Sequence, residues 1–235
     1  APSQRYSSCP YERIPMNRKI LVISILIAAL IAFGGAAWYV SQPVPTTDVA
    51  AADSEVTEAL VRGHSPILGP EEAPVTIVEF FDPACEACRA FYPVVEDILT
   101  DYPDDVRVVL RYAAFHGEAS EQAIKVLEAA RMQDVFVPVL EALLEAQPEW
   151  ATHGSAPQAS ILEIAGGAGL DVEAASSQIM SPSTVGLMNQ DRTDIETIGV
   201  SQTPTFFVNG RPLTEFGAEQ LRALVDEEVA RVGDS

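Results

Sequence analysis

Two cysteines three residues apart, Cys85 and Cys88, are the part of this sequence best suited to do chemistry. Residues i and i+3 of a first helical turn lie on one face, close enough for their sulfur atoms to form a disulfide or to exchange one. The N-terminus of a helix presents unpaired N–H groups and about half a positive charge, which stabilise a thiolate. Since the thiolate is the species that attacks and leaves in exchange reactions, the spacing predicts a redox-active pair in which Cys85 is the reactive thiolate.

Two other uses of a cysteine pair are weaker alternatives. A structural zinc ion needs four ligands, and neither Cys9 nor the three histidines, His64, His116 and His153, stand at ligand spacing from the pair. A purely structural disulfide would close a very short loop, and the stabilisation that a disulfide gives grows with the length of the loop it closes. The redox interpretation is therefore favoured.

The elements around the pair form a strand–helix–strand unit. Val75–Phe81 (VTIVEFF) is an apolar, β-rich run that ends at Asp82-Pro83, which is typical of a buried strand followed by a turn. Apolar residues then recur at helical spacing from Cys85 to about Leu99, and Val106–Tyr112 (VRVVLRY) is a second apolar run. A strand, a crossover helix and a second strand predict a right-handed βαβ unit with parallel strands.

The rest of the chain completes an α/β fold. The apolar period is helical from Glu118 to Ile198, in segments separated by Pro, Gly and Asp. Thr205–Val208 and Arg211–Leu213, joined by Asn209-Gly210, predict a β-hairpin with a type I′ turn, and Ala218–Val232 predicts a final helix. The order predicts a thioredoxin-like fold with a helical insertion, at about residues 118–198, between its βαβ and ββα halves.

Two segments carry a family resemblance. Val78–Phe91 (VEFFDPACEACRAF) resembles the active-site segment of the DsbA family of exported disulfide oxidoreductases. Gly199–Leu213 (GVSQTPTFFVNGRPL) is similar to that family's second signature, a cis-proline loop followed by a hairpin. The similarity extends over about Ser65–Val232 and includes the helical insertion. It implies a thiol:disulfide oxidoreductase that needs no metal or organic cofactor.

The resemblance also implies a role for each site residue. Cys85 would be the nucleophile, and Cys88 would resolve the mixed disulfide. The peptide bond between Thr203 and Pro204 would be cis and packed against Cys85, leaving the backbone of Thr203 to pair with a substrate strand. Glu79 stands in the apolar strand, where the family carries an acid; if it is buried, its pKa rises and it could pass protons to or from Cys88. A water-exposed Glu79 at a sheet edge is the alternative.

The direction of the reaction is less clearly indicated. The two residues between the cysteines are Glu86-Ala87 rather than the Pro-His of the strongest oxidases. A carboxylate beside the thiolate should raise the pKa of Cys85 and so weaken its oxidising power. Thr203 also resembles the residue before the cis-proline in isomerase and reductase relatives. We predict an oxidase, with a reductase or isomerase, a chaperone-like module without turnover, and a metal-binding module as alternatives.

His116, Trp150 and His153 could rim the site, although packing or a surface position is the plainer interpretation.

Charge and hydropathy indicate where the domain works. The formal net charge of −20 argues against a nucleic-acid partner. Ile20–Val40 carries no charge, is long enough to cross a bilayer as a helix, and follows Arg13, Arg18 and Lys19. We predict a cytoplasmic tail (1–19), a transmembrane signal-anchor (20–40), a tether (41–65) and the thioredoxin-like domain (66–235). A cleaved signal peptide is the alternative.

This arrangement predicts a single-pass protein of the bacterial inner membrane whose catalytic domain faces the periplasm. The expected partners are cysteine-containing exported proteins, and an unidentified redox partner in the membrane that resets the cysteine pair.

Overall fold

The computed structural model describes residues 56–151 and 158–233, with side chains from residue 160 onward in the second range. Residues 56–60 form a short helical turn before the first strand. The strands are β1 (Ile67–Leu68), β2 (Val75–Phe81), β3 (Val106–Tyr112), β4 (Thr205–Val208) and β5 (Arg211–Pro212). The helices are α1 (Glu86–Asp101), α2 (Glu118–Met132), α3 (Phe136–Glu145), α4 (Gln147–Trp150), α5 (Gln158–Gly167), α6 (Val172–Gln178), α7 (Pro182–Ile198) and α8 (Ala218–Gly233).

The strands form one sheet in the order β1-β3-β2-β4-β5. β2 and β3 are parallel and are joined by the crossover helix α1, whereas β4 lies antiparallel to β2, and β1 antiparallel to β3. β2 is therefore an interior strand, and six of its seven residues are buried. Burial on both faces explains why five of its seven residues are apolar and why they do not alternate with polar ones.

The β4–β5 hairpin has the predicted turn. Asn209 and Gly210 both have positive φ angles, 48° and 80°. Positive φ at both central positions defines a type I′ turn, which Asn and Gly adopt more readily than other residues.

The helical insertion and the sheet share one apolar core. Buried residues of β2 and β3 contact buried residues of α2, α3 and α5 in a continuous cluster. Trp150, at the end of α4, has no exposed surface, and its indole N–H donates to the carbonyl of Leu143 at 2.8 Å. Trp150 thus packs in the core and does not rim the site, and His153 lies outside the described residues.

A buried ionic network ties the start of the domain to β3 and α7. The guanidinium of Arg111, which is fully buried, donates to Asp191 at 2.7 Å and to Asp194 at 2.6 Å. Arg62 donates to Asp194 at 2.8 Å, and Nε2 of His64 lies 2.8 Å from Asp191. Since these two residues belong to the predicted tether, the folded unit extends N-terminal of the predicted boundary at residue 66.

The predicted order β-α-β, helical block, β-β-α is confirmed within the described ranges. Strand β1 was not predicted, because two residues are too few to show a period. None of the helices within residues 56–151 and 158–233 is both long and apolar enough to cross a membrane. The predicted span Ile20–Val40 lies outside those ranges.

Candidate active site

The turn between β2 and α1 places both cysteines at the start of a helix. The N–H of Cys85 donates to the carbonyl of Asp82 at 3.0 Å, and Cys85 is the N-cap, so that α1 begins at Glu86. The carbonyl of Cys85 accepts the first helical hydrogen bond, from the N–H of Arg89 at 3.1 Å. One turn into the helix, Sγ of Cys88 lies 3.5 Å from the backbone nitrogen of Asp82. The sulfur of Cys85 therefore faces the unpaired N–H groups of the first turn.

The two thiols differ strongly in acidity. Hydrogen bonding from Cys88 is the main cause that lowers the pKa of Cys85 to about 5; burial opposes it, and the side chain of Thr203 and the N–H groups of Cys88 and Ala87 add to it. The pKa of Cys88 is raised by burial first, then by its hydrogen bond to Cys85 and by the charge of Glu79. Both cysteines are free thiols, and Cys88 is fully buried while Cys85 is 6% exposed. At neutral pH the pair is one thiolate and one thiol.

Glu86 does not prevent Cys85 from being acidic. The side chain of Glu86 is exposed, so water screens its charge, and the net shift in the pKa of Cys85 is downward. That Glu86 weakens the oxidising power stays a prediction. Hydrogen bonds that point directly at the sulfur outweigh a solvated carboxylate on the neighbouring residue.

The second signature segment lies against the reactive sulfur. The Thr203–Pro204 peptide bond is cis, as the resemblance implied. Sγ of Cys85 lies 3.4 Å from the carbonyl oxygen of Thr203. Within the described residues, the N–H of Thr203 has no hydrogen-bond acceptor. A backbone donor with no acceptor beside Cys85 is what an incoming extended peptide needs for pairing, and the role of Thr203 and Pro204 in substrate binding stays a prediction.

Glu79 is buried in the middle of the sheet. It pairs with Leu110 of β3 on one side and Phe206 of β4 on the other, and it is 2% exposed. The alternative of a water-exposed residue at a sheet edge is therefore wrong. Burial is the main cause that raises the pKa of Glu79 from 4.5 to about 8, and the charge of Cys85 adds to it. A carboxyl group that titrates near neutral pH beside a dithiol is suited to proton transfer, and that role stays a prediction.

The burial of Glu79 predicts a pH-dependent stability. Because the folded reduced protein binds this proton more tightly than the unfolded chain does, the contribution of Glu79 to the free energy of unfolding falls as the pH rises from 4.5 to about 8 and is lost above that, whereas the lowered pKa of Cys85 contributes a slope of the opposite sign. Glu79→Gln should remove the Glu79 contribution, so its stability should rise more steeply with pH than that of the wild type, and it should slow exchange several-fold near neutral pH. Urea unfolding near pH ~5 and pH ~9 measures the difference. Glu72→Gln, at an exposed position, is the control and should keep the wild-type slope; a Glu79→Gln variant with that same slope would contradict the prediction.

Asp82, predicted only as a turn residue, organises the site. Its side chain is fully buried. One carboxylate oxygen accepts from the N–H of Ala84 at 2.9 Å, and the other accepts from the N–H of Phe115 at 2.8 Å and the hydroxyl of Ser120 at 2.9 Å. His116 contributes its N–H at 3.1 Å and its ring Nδ1 at 2.8 Å. Asp82 thus joins the redox turn to the loop between β3 and α2.

Gln147 is a second residue that sequence reasoning missed. It lies in α4 and is 1% exposed. Its Nε2 donates to the carbonyls of Pro83 at 2.8 Å and Cys85 at 3.0 Å, while its Oε1 has no partner in the described part of the chain. Two acceptors fix the amide orientation, since the flipped amide would set oxygen against oxygen. The only signal in the sequence was a polar residue inside an apolar helical stretch.

Across residues 56–151 and 158–233, no group of three or more His, Cys, Asp or Glu side chains is arranged to hold a metal ion.

Comparison with known proteins shows which family and which solved structures this chain is similar to. Residues 62–227 match a family model described as thioredoxin. The solved structure of a thioredoxin-like oxidoreductase from Silicibacter pomeroyi DSS-3 is 29% identical, with a TM-score of 0.63, and the match covers 78% of this chain and 98% of that one.

Two curated relatives differ in how much of them is matched. Disulfide bond formation protein D of Bacillus subtilis (strain 168) is 28% identical over 184 residues, covering 72% of this chain and 78% of that protein. The Na(+)/H(+) antiporter NhaA 3 of Salinispora tropica is 35% identical over 153 residues, covering 64% of this chain but 22% of the antiporter's length. The chain thus spans about a fifth of the antiporter relatives that it matches. With the match over residues 62–227, the chain belongs to the thioredoxin family, and its predicted resemblance to DsbA-like thiol–disulfide oxidoreductases is confirmed.

Proposed function

We propose that this chain is a protein thiol:disulfide oxidoreductase that works through the Cys85–Cys88 dithiol/disulfide, and that it acts as an oxidase. The observation that carries the proposal is the asymmetry of the pair: Cys85 has a pKa of about 5 beside the Thr203 carbonyl, whereas Cys88 is fully buried with a raised pKa. An exchange enzyme needs one sulfur that partners can reach and that leaves readily, and a second sulfur that they cannot reach.

The oxidase cycle follows from this asymmetry. A substrate thiolate attacks Sγ of Cys85 in the disulfide, the bond to Cys88 breaks, and Cys88 takes up a proton as its pKa is high. Glu79, whose pKa is about 8, is placed to supply that proton. A second substrate thiolate then attacks the substrate sulfur of the mixed disulfide, and Cys85 leaves as the thiolate. Two electrons pass from the substrate dithiol to the cysteine pair, and the substrate gains a disulfide.

Turnover is tested with insulin. The wild-type protein should speed the reduction of insulin by dithiothreitol, since exchange runs in both directions, and Cys85→Ala should give the uncatalysed rate. Circular dichroism of the variant checks that it is folded. Insulin reduction by Cys85→Ala at the wild-type rate would contradict the proposal, and a wild-type protein that binds peptides without turnover would favour the chaperone-like alternative.

The reduction potential decides the direction. A stabilised thiolate at Cys85 stabilises the reduced form and so raises the potential. We expect a value below the roughly −120 mV of the strongest oxidant and above the roughly −270 mV of thioredoxin. Equilibration of the full chain with glutathione redox buffers measures it. A value at or below that of thioredoxin would overturn the oxidase in favour of the reductase or isomerase, which is the alternative that Thr203 favours.

The proposed location rests on the charge-free segment Ile20–Val40 and the basic residues before it. We propose a single-pass anchor in the bacterial inner membrane, a catalytic domain in the periplasm, substrates among exported proteins with cysteine pairs, and a membrane redox partner that reoxidises the pair. A reporter active only outside the cytoplasm, fused after Val232, should be active, and the protein should stay with the membranes after a carbonate wash. Release of a mature form that begins near Ala37 would show that the segment is cleaved.

A further inference from the structure

A histidine outside the CxxC segment is held at a fixed place beside the redox turn. His116 lies in the loop after β3, and its Nδ1 is 2.8 Å from Oδ2 of Asp82. Three further protein donors bind the carboxylate of Asp82, the N–H groups of Ala84 and Phe115 and the hydroxyl of Ser120, so the acceptor cannot move. The backbone N–H of His116 binds the same oxygen at 3.1 Å, which fixes the loop as well as the ring.

The geometry also assigns the protons of the ring. A carboxylate oxygen accepts hydrogen bonds, so Nδ1 carries a hydrogen, and Nε2 is the nitrogen that gains or loses a proton. The side chain of His116 is 42% exposed, which allows Nε2 to exchange protons with water. The imidazole is thus hydrogen-bonded through Nδ1, and it gains or loses its proton at Nε2.

Most of the charged groups near His116 are negative, and the exception is Arg192, whose guanidinium lies 3.7 Å from Glu121. Asp82 and Cys85 lie on the redox turn, Glu86 begins α1, and Glu118 and Glu121 lie in the first turn of α2. Burial lowers the pKa of His116, but the hydrogen bond and charge of Asp82, and the charges of Cys85 and Glu86, raise it by more.

Asp82 reaches the redox centre at two points. Its carboxylate holds His116, and its backbone nitrogen lies 3.5 Å from Sγ of Cys88. The dipeptide between the cysteines, Glu86-Ala87, supplies no cation of its own. A positive charge from another part of the fold would add to the hydrogen bonds that lower the pKa of Cys85.

We propose that His116, held by Asp82, adds a positive charge that stabilises the thiolate of Cys85 further, and that its affinity for a proton is coupled to the redox state of the cysteine pair. The inference rests on the proposed exchange function and names a residue that acts on Cys85 through its charge. Opposite charges favour each other's charged form, and the coupling is reciprocal.

The coupling has a definite proton balance. When the disulfide accepts two electrons from a dithiol, Cys88 takes up one proton and Cys85 becomes a thiolate. The new negative charge raises the pKa of His116, so at a pH between its values in the two redox states His116 takes up a further fraction of a proton from water. Oxidation returns that proton, because the disulfide carries no charge.

Proton NMR titration of the full chain tests the coupling without turnover. The ring signal of His116 should titrate at a higher pH in the reduced protein than in the disulfide form. His64 is the internal control, because its Nε2 lies 2.8 Å from a buried carboxylate, that of Asp191, in a network that does not include the cysteines. The signal of His64 should not depend on the redox state of the cysteine pair.

Variants test the effect on the thiol. His116→Gln should raise the pKa of Cys85, followed by thiolate absorbance at 240 nm, and should shift the exchange equilibrium with glutathione about two- to fivefold toward the disulfide, the size expected for a partly exposed charge pair. His116→Lys keeps a positive charge and should restore most of the shift. His64→Gln should leave the pKa of Cys85 unchanged.

The outcomes separate this inference from the proposed function. If His116 titrates at the same pH in both redox states, or if His116→Gln leaves the pKa of Cys85 unchanged, the inference is overturned even when the protein turns over insulin. If the wild-type protein fails to turn over insulin while the pKa of His116 still depends on the redox state, the exchange function fails and the electrostatic coupling stands.

Discussion

Cys88→Ser should accumulate mixed disulfides with substrate proteins, and Cys85→Ser should accumulate none. In the first variant the thiolate of Cys85 still attacks a substrate disulfide, but no second thiol remains to release the adduct. In the second variant the remaining thiol at position 88 is fully buried and its pKa is raised, so it can neither be reached nor ionise. The effect is close to all-or-none, because the two sulfur atoms do not substitute for each other.

The adducts can be counted directly. Each variant is expressed in cells, free thiols are blocked with an alkylating agent, and the protein is separated on non-reducing gels with and without later reduction. Reducible bands of high mass should appear with Cys88→Ser only. The double variant, with serine at both positions, gives the background. Equal trapping by the two single variants would refute the roles given to Cys85 and Cys88.

Arg111→Leu should destabilise the domain by about 3–5 kcal/mol, because it leaves buried carboxylates without their main partner. Arg111 donates to both Asp191 and Asp194, which are 1% and 2% exposed. Burial tends to raise the pKa of Asp194, yet hydrogen bonds from Arg62, Arg111 and a neighbouring amide hold that pKa at about 2. A loss of this size is a large share of the roughly 5–15 kcal/mol that stabilises a typical domain.

Urea unfolding of the reduced protein at pH ~7 measures the loss. Arg222→Leu is the matched control, since Arg222 also bridges two carboxylates, Asp97 at 3.1 Å and Asp101 at 2.9 Å, but at the surface. Exposed pairs of this kind contribute about 0–1 kcal/mol, so the control should lose little. Equal losses in the two variants would show that burial of the Arg111 network does not matter.

The elements that carry a strong local signal were predicted well. The predicted bounds of three strands are confirmed: Val75–Phe81, Val106–Tyr112 and Thr205–Val208. Each is a contiguous apolar, β-rich run with turn residues at its end, so the sequence alone shows where it lies. The helical block between residues 118 and 198 was predicted, but the short helix α4 was not. Four residues are too few to show a helical period.

The residues of the site also differ in how well the sequence predicts them. Cys85, Cys88 and the cis-proline loop could be recognised because each lies in a short contiguous motif. Asp82 and Gln147 could not, because their partners are distant in the chain: Ser120 is 38 residues from Asp82, and Pro83 is 64 residues from Gln147. The buried network of Arg111 spans more than 80 positions for the same reason. Contacts of this kind follow from the fold, and no local pattern encodes them.

The amide of Gln147 also sets a limit on how the protein can be re-engineered. A designer who wished to shorten the chain to a minimal thioredoxin would join β3 directly to the segment before β4 and discard the helices between. That deletion would take away the group that holds the carbonyls of Pro83 and Cys85, and it would remove the buried residues that α2 and α3 contribute to the core they share with the sheet. The helical block is therefore not a detachable module but one wall of the reaction centre, and grafts between relatives should exchange it together with the cysteine turn.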